Sequence, residues 1–336
     1  MKTFLVSFFL VCLGVVQGQT DPVYSRYSFQ KPEMGSLFSI LIYSSDSAGA
    51  RIAAEQTFEL IDSLNLIYSD YLETSELNRL CRSAGTDEWV KVSEPLFGIL
   101  RLAKNASARS EGSFDVTVGT VTALWRKARK DGHLPDPCRL RSAISVTGYR
   151  YILIDPRESK IKLLKRGMRL DLGGIAKGET AQRAIDFLKA SGYPFSMIDA
   201  GGDIVAGAVP EGIPCWKIGI NYPGANTILP KRLCISGISV TTSGDLYQYL
   251  EVNGKKYSHI IDPRNGRALT RSRNVTVIAP RGADADWLTK ACSILSVKRS
   301  MKLVASYPGA ELQIAVLKNH KPVFYRSPGF QRWFER

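Results

Sequence analysis

Four stretches of the 336-residue chain combine charged or imidazole side chains with glycines at spacings that suit ligand chemistry. The first is Arg169-Leu170-Asp171-Leu172-Gly173-Gly174-Ile175-Ala176-Lys177-Gly178. Glycines let backbone amides approach a ligand, a helix N-terminus favours anions, and Lys177 adds a point charge. A tight turn is the competing explanation for Gly173 and Gly174. The stretch matches neither the G-x-x-x-x-G-K-[ST] phosphate loop nor the G-x-G-x-x-G dinucleotide fingerprint. In the second, Gly112 to Gly119, Asp115 and Thr117 stand between glycines ahead of a helix, a pattern that suits capping and ligand binding alike. The third, Asp199-Ala200-Gly201-Gly202-Asp203, leaves backbone bare between carboxylates; a bulge or tight turn explains it equally well. The fourth holds Thr242-Ser243-Gly244-Asp245 and then Tyr257-Ser258-His259-Ile260-Ile261-Asp262-Pro263-Arg264-Asn265-Gly266. His259 is one of three histidines and falls in an expected strand that ends at a Pro/Asn-Gly turn; a structural hydrogen bond and acid/base work are both open to it.

Elements must position these residues. Apolar spacing predicts a strand at Phe38–Tyr43 and a long amphipathic helix over Ala48–Leu72. Further helices are expected at Glu94–Ala108, with Pro95 in its first turn, at Val118–Arg129 and at Lys177–Ala190, stopped by Ser191-Gly192. Tyr151–Asp155 and Ser159–Leu164 read as short strands joined at Pro156. Phe195–Val277 is strand-rich, with a two-residue Asn253-Gly254 hairpin turn. Asp284–Tyr307 reads as helix, and a last hairpin runs from Leu312 to Tyr325 around Asn319-His320. Helices mixed with antiparallel hairpins predict an α+β fold rather than a doubly wound parallel sheet.

Composition narrows the function. Hydrophobic residues make up 44% and charged residues 23%, which excludes a disordered or collagen-like chain. The formal net charge is +14, concentrated in residues 123–170 (net +9) and 264–336 (net +10). Neither block is a compact Lys/Arg run interleaved with aromatics, so the charge does not argue for nucleic acid; solvated faces account for most of it. Residues 1–18 have the pattern of a cleaved signal peptide, with Lys2 before an apolar stretch and small residues near Gly18. The expected mature unit is then 19–336, without a membrane span, carrying Cys81, Cys138, Cys215, Cys234 and Cys292. No CxxC pair suggests zinc, and at most a disulfide or two would form in an oxidising compartment.

In this order, the motifs resemble those of the ApbE family of FAD:protein FMN transferases. The resemblance runs from about Phe38 to Val316 and is carried by Ser75-Glu76-Leu77-Asn78, Gly112 to Gly119 with Trp125 after it, Asp171 to Gly178, Gly201-Gly202-Asp203, Thr242 to Asp245, and Tyr257 to Gly266. It implies a single ApbE-like, T-fold-like α+β domain with mixed helices and antiparallel strands. It implies an exported bacterial enzyme, in the periplasm or on the outer surface. Such an enzyme uses FAD and Mg²⁺, cleaves the FAD pyrophosphate, and attaches FMN by a phosphoester bond to a Thr or Ser of a partner flavoprotein. Water replaces that acceptor in some members. Carried onto this sequence, the pattern names Glu76, Asp115, Thr117, Gly173, Gly174, Lys177, Gly201, Gly202, Ser243, Asp245 and His259 for FAD; Lys290, which departs from the pattern, is placed to contact the FAD pyrophosphate. The pattern names the Ala176 carbonyl and Asp286 for the metal, and His259 with Asp286 for catalysis.

One departure matters. The family's late motif, Ala-Asp-Ala-Leu-Ser-Thr-Ala, corresponds here to Ala285-Asp286-Trp287-Leu288-Thr289-Lys290-Ala291, so a metal-binding Thr is replaced by Lys290. Positions i and i+4 share a helical face, and an ammonium pairs with a carboxylate but does not ligate a metal. Either Thr289 or water substitutes and the chain is a transferase, the reading the other motifs favour, or Lys290 displaces Mg²⁺ and the protein holds FAD with weak or no cleavage. An exported binding protein for another anion is a further, blander class.

Overall fold

The computed structural model describes residues 23–220, 232–244, 249–271, 273–319 and 321–335. The expected leader, Asp245 and His320 lie outside the described residues.

Eight strands form one sheet: β1 (Ser25–Glu33), β2 (Ser36–Ser44), β3 (Ser196–Ala200), β4 (Asp203–Ala206), β5 (Ser239–Gly244), β6 (Arg273–Ala279), β7 (Glu311–Lys318) and β8 (Lys321–Arg326). They lie side by side in chain order, and every neighbouring pair is antiparallel. Helices enter as insertions between consecutive strands: α1 (Ser47–Tyr68), α2 (Glu76–Arg82), α3 (Glu94–Arg109), α4 (Gly119–Asp131), α5 (Pro137–Ser145) and α6 (Ala176–Ala190) between β2 and β3, then α7 (Gly282–Ile294) and α8 (Val297–Ala305) between β6 and β7.

Side-chain alternation gives the sheet two apolar faces. Phe38, Ile40 and Ile42 of β2 pack with Ala50, Ala53 and Ile61 of α1 and with Ala181, Ala184 and Leu188 of α6. Leu41, one residue out of phase, packs on the opposite face with Met197, Trp216, Leu233 and Phe330. Small side chains on α1 and α6 bring those helices close to the strands. Under the second face, the strands Trp216–Ile218 and Leu233–Ile235 are tied by the Cys215–Cys234 disulfide. Cys81, Cys138 and Cys292 are free.

The expected α+β class stands, with differences at particular elements. β1, α2 and α5 were not foreseen: α2 and α5 are short, and β1 is exposed along much of its length. The expected helix Asp284–Tyr307 is two helices, because Ser296 caps α8 by accepting from the Arg299 N–H at 3.3 Å. No helix among the described residues is long and apolar enough to cross a membrane.

Candidate active site

The floor of the site is set by a helix crossing. Gly178 at the start of α6 meets Gly282 at the start of α7 backbone to backbone; a Cβ on either would stand 2.2 Å from the other's carbonyl oxygen. This approach lets Asp286 Oδ2 accept the Gly178 N–H at 3.2 Å. The α6 N-terminus has no capping side chain of its own, so Asp286 satisfies one of its orphan amides from the neighbouring helix. Asp286 is 0% exposed. Its Oδ1 pairs with Lys290 Nζ at 2.8 Å, one turn along α7, and that ammonium also donates to Thr289 Oγ1 at 3.3 Å.

The sheet adds a second carboxylate. Gly201 and Gly202, with φ of 69° and 96°, make the two-residue turn between β3 and β4, and left-handed backbone at both positions is what such a hairpin turn requires. Asp199 Oδ1 accepts the Gly202 N–H at 2.7 Å and fixes the turn. Asp203 then opens β4 opposite Thr241 of β5 and pairs with Lys177. The floor is therefore a cluster of two carboxylates and two ammoniums. Burial opposes ionisation of Asp203, but Lys177 and Lys290 outweigh it and hold the carboxyl below its usual range. Burial likewise pulls Lys177 down, and Asp203 and Asp286 reverse that and raise it. For Asp286, burial and the nearby Asp203 push the carboxyl up against the pull of Lys290 and Lys177.

The rim is built from longer side chains. Arg126 of α4 donates to Asp171 Oδ2 at 2.6 Å, pairs with Asp70 in the loop after α1, and lies 4.3 Å from the Tyr71 ring centroid. Asp171 also accepts from Thr122 Oγ1 at 2.7 Å and from the Gly173 N–H at 2.8 Å. Arg126 thereby fixes the Leu172–Ile175 turn from outside. A Cβ at Gly174 would lie 3.0 Å from Lys290 Cγ and 3.2 Å from the Phe114 ring, so the missing side chain makes room for the lysine stem.

Between floor and rim lies a cleft of about 820 Å³, within the range of small-molecule and cofactor sites. Of the residues expected to bind FAD or metal, Asp115, Gly173, Gly174, Ala176, Lys177, Gly201, Gly202, Ser243, His259 and Lys290 line it. Asp286 lies behind Lys290. Thr117 is buried behind the loop, where its hydroxyl accepts the Gly148 N–H at 2.6 Å and donates to Asp115 Oδ1 at 2.7 Å. Asp115 also accepts the Tyr149 N–H at 2.7 Å, and burial raises its carboxyl despite these donors. Asp115 and Thr117 do not cap α4, whose N-terminus has no side-chain cap; they lock two loops together.

Glu76 is not part of the cleft lining. Its carboxylate accepts from the N–H and Oγ of Ser93, each at 2.6 Å, joining α2 to the N-cap of α3. Nearby, the Asn78 amide donates to the Leu72 carbonyl at 2.9 Å and so shapes the loop that carries Asp70 and Tyr71. His259 lies in a bend just past the strand Lys255–Ser258 rather than within a strand. Asp203, Asp70, Tyr71 and Arg126 line the cleft and were missed as site residues. Asp203 had a signal, being the acid after Gly201-Gly202, whereas nothing local marks an arginine that reaches residues 56 and 45 positions away.

The ApbE family profile matches residues 34–314. The FAD:protein FMN transferase of Klebsiella pneumoniae is 32% identical over 266 residues, covering 78% of this chain and 81% of that protein. The protein of the same description from Treponema pallidum is 30% identical over 302 residues, covering 85% and 83%. Among solved structures, the ApbE protein from Thermotoga maritima superposes with a TM-score of 0.83 at 27% identity, covering 93% of this chain and 100% of that one. A variant of the flavin transferase ApbE from Vibrio cholerae gives 0.81 at 25% identity, covering 92% and 99%.

Proposed function

The chain belongs to the ApbE family, and from that premise we propose that it is an FAD:protein FMN transferase. It cleaves the FAD pyrophosphate and joins FMN through a phosphoester to a Thr or Ser hydroxyl of a partner flavoprotein. The observation that carries this reading is the convergence of motifs far apart in sequence on one cleft: Asp115, Gly173-Gly174, Lys177, Gly201-Gly202, Ser243, His259 and Lys290 all border it.

Each group has a task in that chemistry. Two phosphates need cationic and amide neighbours, which Lys177, Lys290 and the backbone at Gly174 supply. The acceptor hydroxyl must lose a proton as it attacks phosphorus, and the His259 imidazole is the group on the cleft wall suited to take it near neutral pH. Arg126, through Asp171, keeps the glycine turn in shape.

Mg²⁺ is the ion the family resemblance calls for, with Ala176 and Asp286 to hold it. The arrangement fits it poorly. A hard divalent cation takes carboxylate and carbonyl oxygens, but one Asp286 oxygen is on the Lys290 ammonium and the other on the Gly178 amide. This pair is also what favours a second reading, a protein that holds FAD without cleaving it.

Export to the bacterial periplasm or outer surface is part of the proposal. The leader-like residues 1–18 support it, as does the Cys215–Cys234 disulfide, a bond that persists in oxidising compartments. Mass spectrometry of the mature N-terminus from a periplasmic fraction tests it, and an intact leader in the cytosolic fraction contradicts it. For the activity, purified protein is incubated with FAD, with and without an acceptor flavoprotein, across metal concentrations. In-gel flavin fluorescence of the acceptor is expected. FAD left intact under every condition supports the binding reading, and AMP formed equally without acceptor makes hydrolysis the main reaction.

A further inference from the structure

We propose that Lys290 is the resident cation of this site, supplying the positive charge at the FAD pyrophosphate that a bound metal would otherwise supply, so that this chain transfers FMN without a metal ion. The inference rests on the flavin-transferase reading above and deepens it.

Both oxygens of the carboxylate already have a close positive or N–H neighbour. Asp286 is 0% exposed, with Oδ1 2.8 Å from Lys290 Nζ and Oδ2 3.2 Å from the Gly178 nitrogen. A divalent ion at Asp286 would have to expel an ammonium or stand beside it, and two cations sharing one buried carboxylate repel. The neighbouring hydroxyl offers no replacement: Thr289 is 0% exposed and donates to the Asp286 carbonyl at 2.7 Å. Lys290 is different in kind. Its side chain is 20% exposed and borders the cleft. Of the three N–H donors of an ammonium, Thr289 Oγ1 takes one, and Asp286 stands 2.8 Å away as the ion-pair partner, so donor capacity is left for a phosphate oxygen. Gly174 supplies the space for the stem, since a Cβ there would stand 3.0 Å from Lys290 Cγ. The lysine is thus anchored by a buried partner, seated in a gap left by a glycine, and open on its ligand side.

The step balances without metal or redox change. The acceptor hydroxyl oxygen bonds to the flavin-side phosphorus. The bond from that phosphorus to the bridging oxygen breaks, and the oxygen leaves with its electron pair as part of AMP. The hydroxyl proton passes to His259. Lys290 stays protonated and donates a hydrogen bond to the charge that grows on the AMP phosphate.

The test compares the wild type with Lys290→Thr and Lys290→Met. Each is titrated with Mn²⁺ alone, with free Mn²⁺ read by electron paramagnetic resonance, and assayed for AMP release with FAD and acceptor in EDTA and in Mg²⁺. The wild type is expected to leave Mn²⁺ free up to about millimolar levels, and its turnover to differ by less than about twofold between EDTA and Mg²⁺. Lys290→Thr is expected to gain a Mn²⁺ site and at least about tenfold higher turnover in Mg²⁺ than in EDTA. Lys290→Met is expected to lose roughly 100-fold in both media. A wild type that binds Mn²⁺ well below millimolar, or that loses about tenfold or more of its rate in EDTA, overturns the proposal. Should neither variant fold, the two wild-type measurements decide alone. If FAD survives with every protein, the transferase reading falls, and the Mn²⁺ titration still decides whether Lys290 keeps a metal out.

Discussion

The floor and the rim of the cleft are both made of ion pairs, yet they are built on different principles. On the floor, Asp203 and Asp286 are nearly or wholly removed from solvent and are held by lysines beside a backbone-to-backbone helix crossing. On the rim, Arg126 joins Asp70 and Asp171 with side chains that keep part of their surface in water and lean on an exposed Tyr71. Losing a partner from a buried pair leaves a desolvated charge behind, whereas water makes up some of the loss where the carboxylates keep part of their surface, as Asp70 and Asp171 do at 13% and 12% exposed. The floor should therefore govern stability and the chemical step together, and the rim should govern how the ligand is seated.

Lys177→Met tests the floor most severely. It strands Asp203 in the interior with only Lys290 nearby, and an uncompensated buried charge costs about 3 kcal/mol or more; denaturant midpoints read this, and a loss below about 0.5 kcal/mol would erase the contrast. Gly178→Ala comes next. Its Cβ would meet the Gly282 carbonyl, which is backbone and cannot rotate away, so the helices must part at a cost of roughly 2–3 kcal/mol, and FAD turnover should fall with stability. Arg126→Leu should be the mildest, at roughly 1–2 kcal/mol, since the two carboxylates it leaves side by side keep some contact with water. Its main effect should be a several-fold rise in KM for FAD with kcat nearly kept, because the glycine turn loses its outer support but no group at the reacting phosphorus is removed. A fall in kcat with unchanged KM would move Arg126 from the rim into the chemistry.

The rim and the floor also differed in how far they could be read from sequence. The floor's parts sit in compact runs: in Ala176-Lys177-Gly178 and Gly201-Gly202-Asp203 glycine beside charge is a local signal, and in Ala285 to Ala291 the signal is Asp286 and Lys290 one helical turn apart. What the sequence did not show is that Gly178 and Gly282 touch, and so why those two are glycines: contact between residues about a hundred positions apart leaves no periodicity to find. The rim had no compact signal. Arg126 looks like any basic residue on an amphipathic helix until the fold sets Asp70 and Asp171 beside it. Glu76 shows the converse, a motif residue expected at the ligand whose carboxylate instead joins two helix starts. The sheet was legible at β2, where apolar residues dominate from Phe38 to Tyr43 although they alternate only weakly, and not at β1, which is exposed along much of its length and carries few apolar residues.

Floor and rim together serve one reaction, the movement of FMN from FAD onto a protein. The most direct measurement is the ratio of AMP released to flavin covalently bound on the acceptor, followed over time with purified components. Equal amounts of the two, with negligible AMP when the acceptor's target hydroxyl is removed, is the result expected; FAD that remains whole, or AMP that accumulates with no flavin on the acceptor, contradicts it.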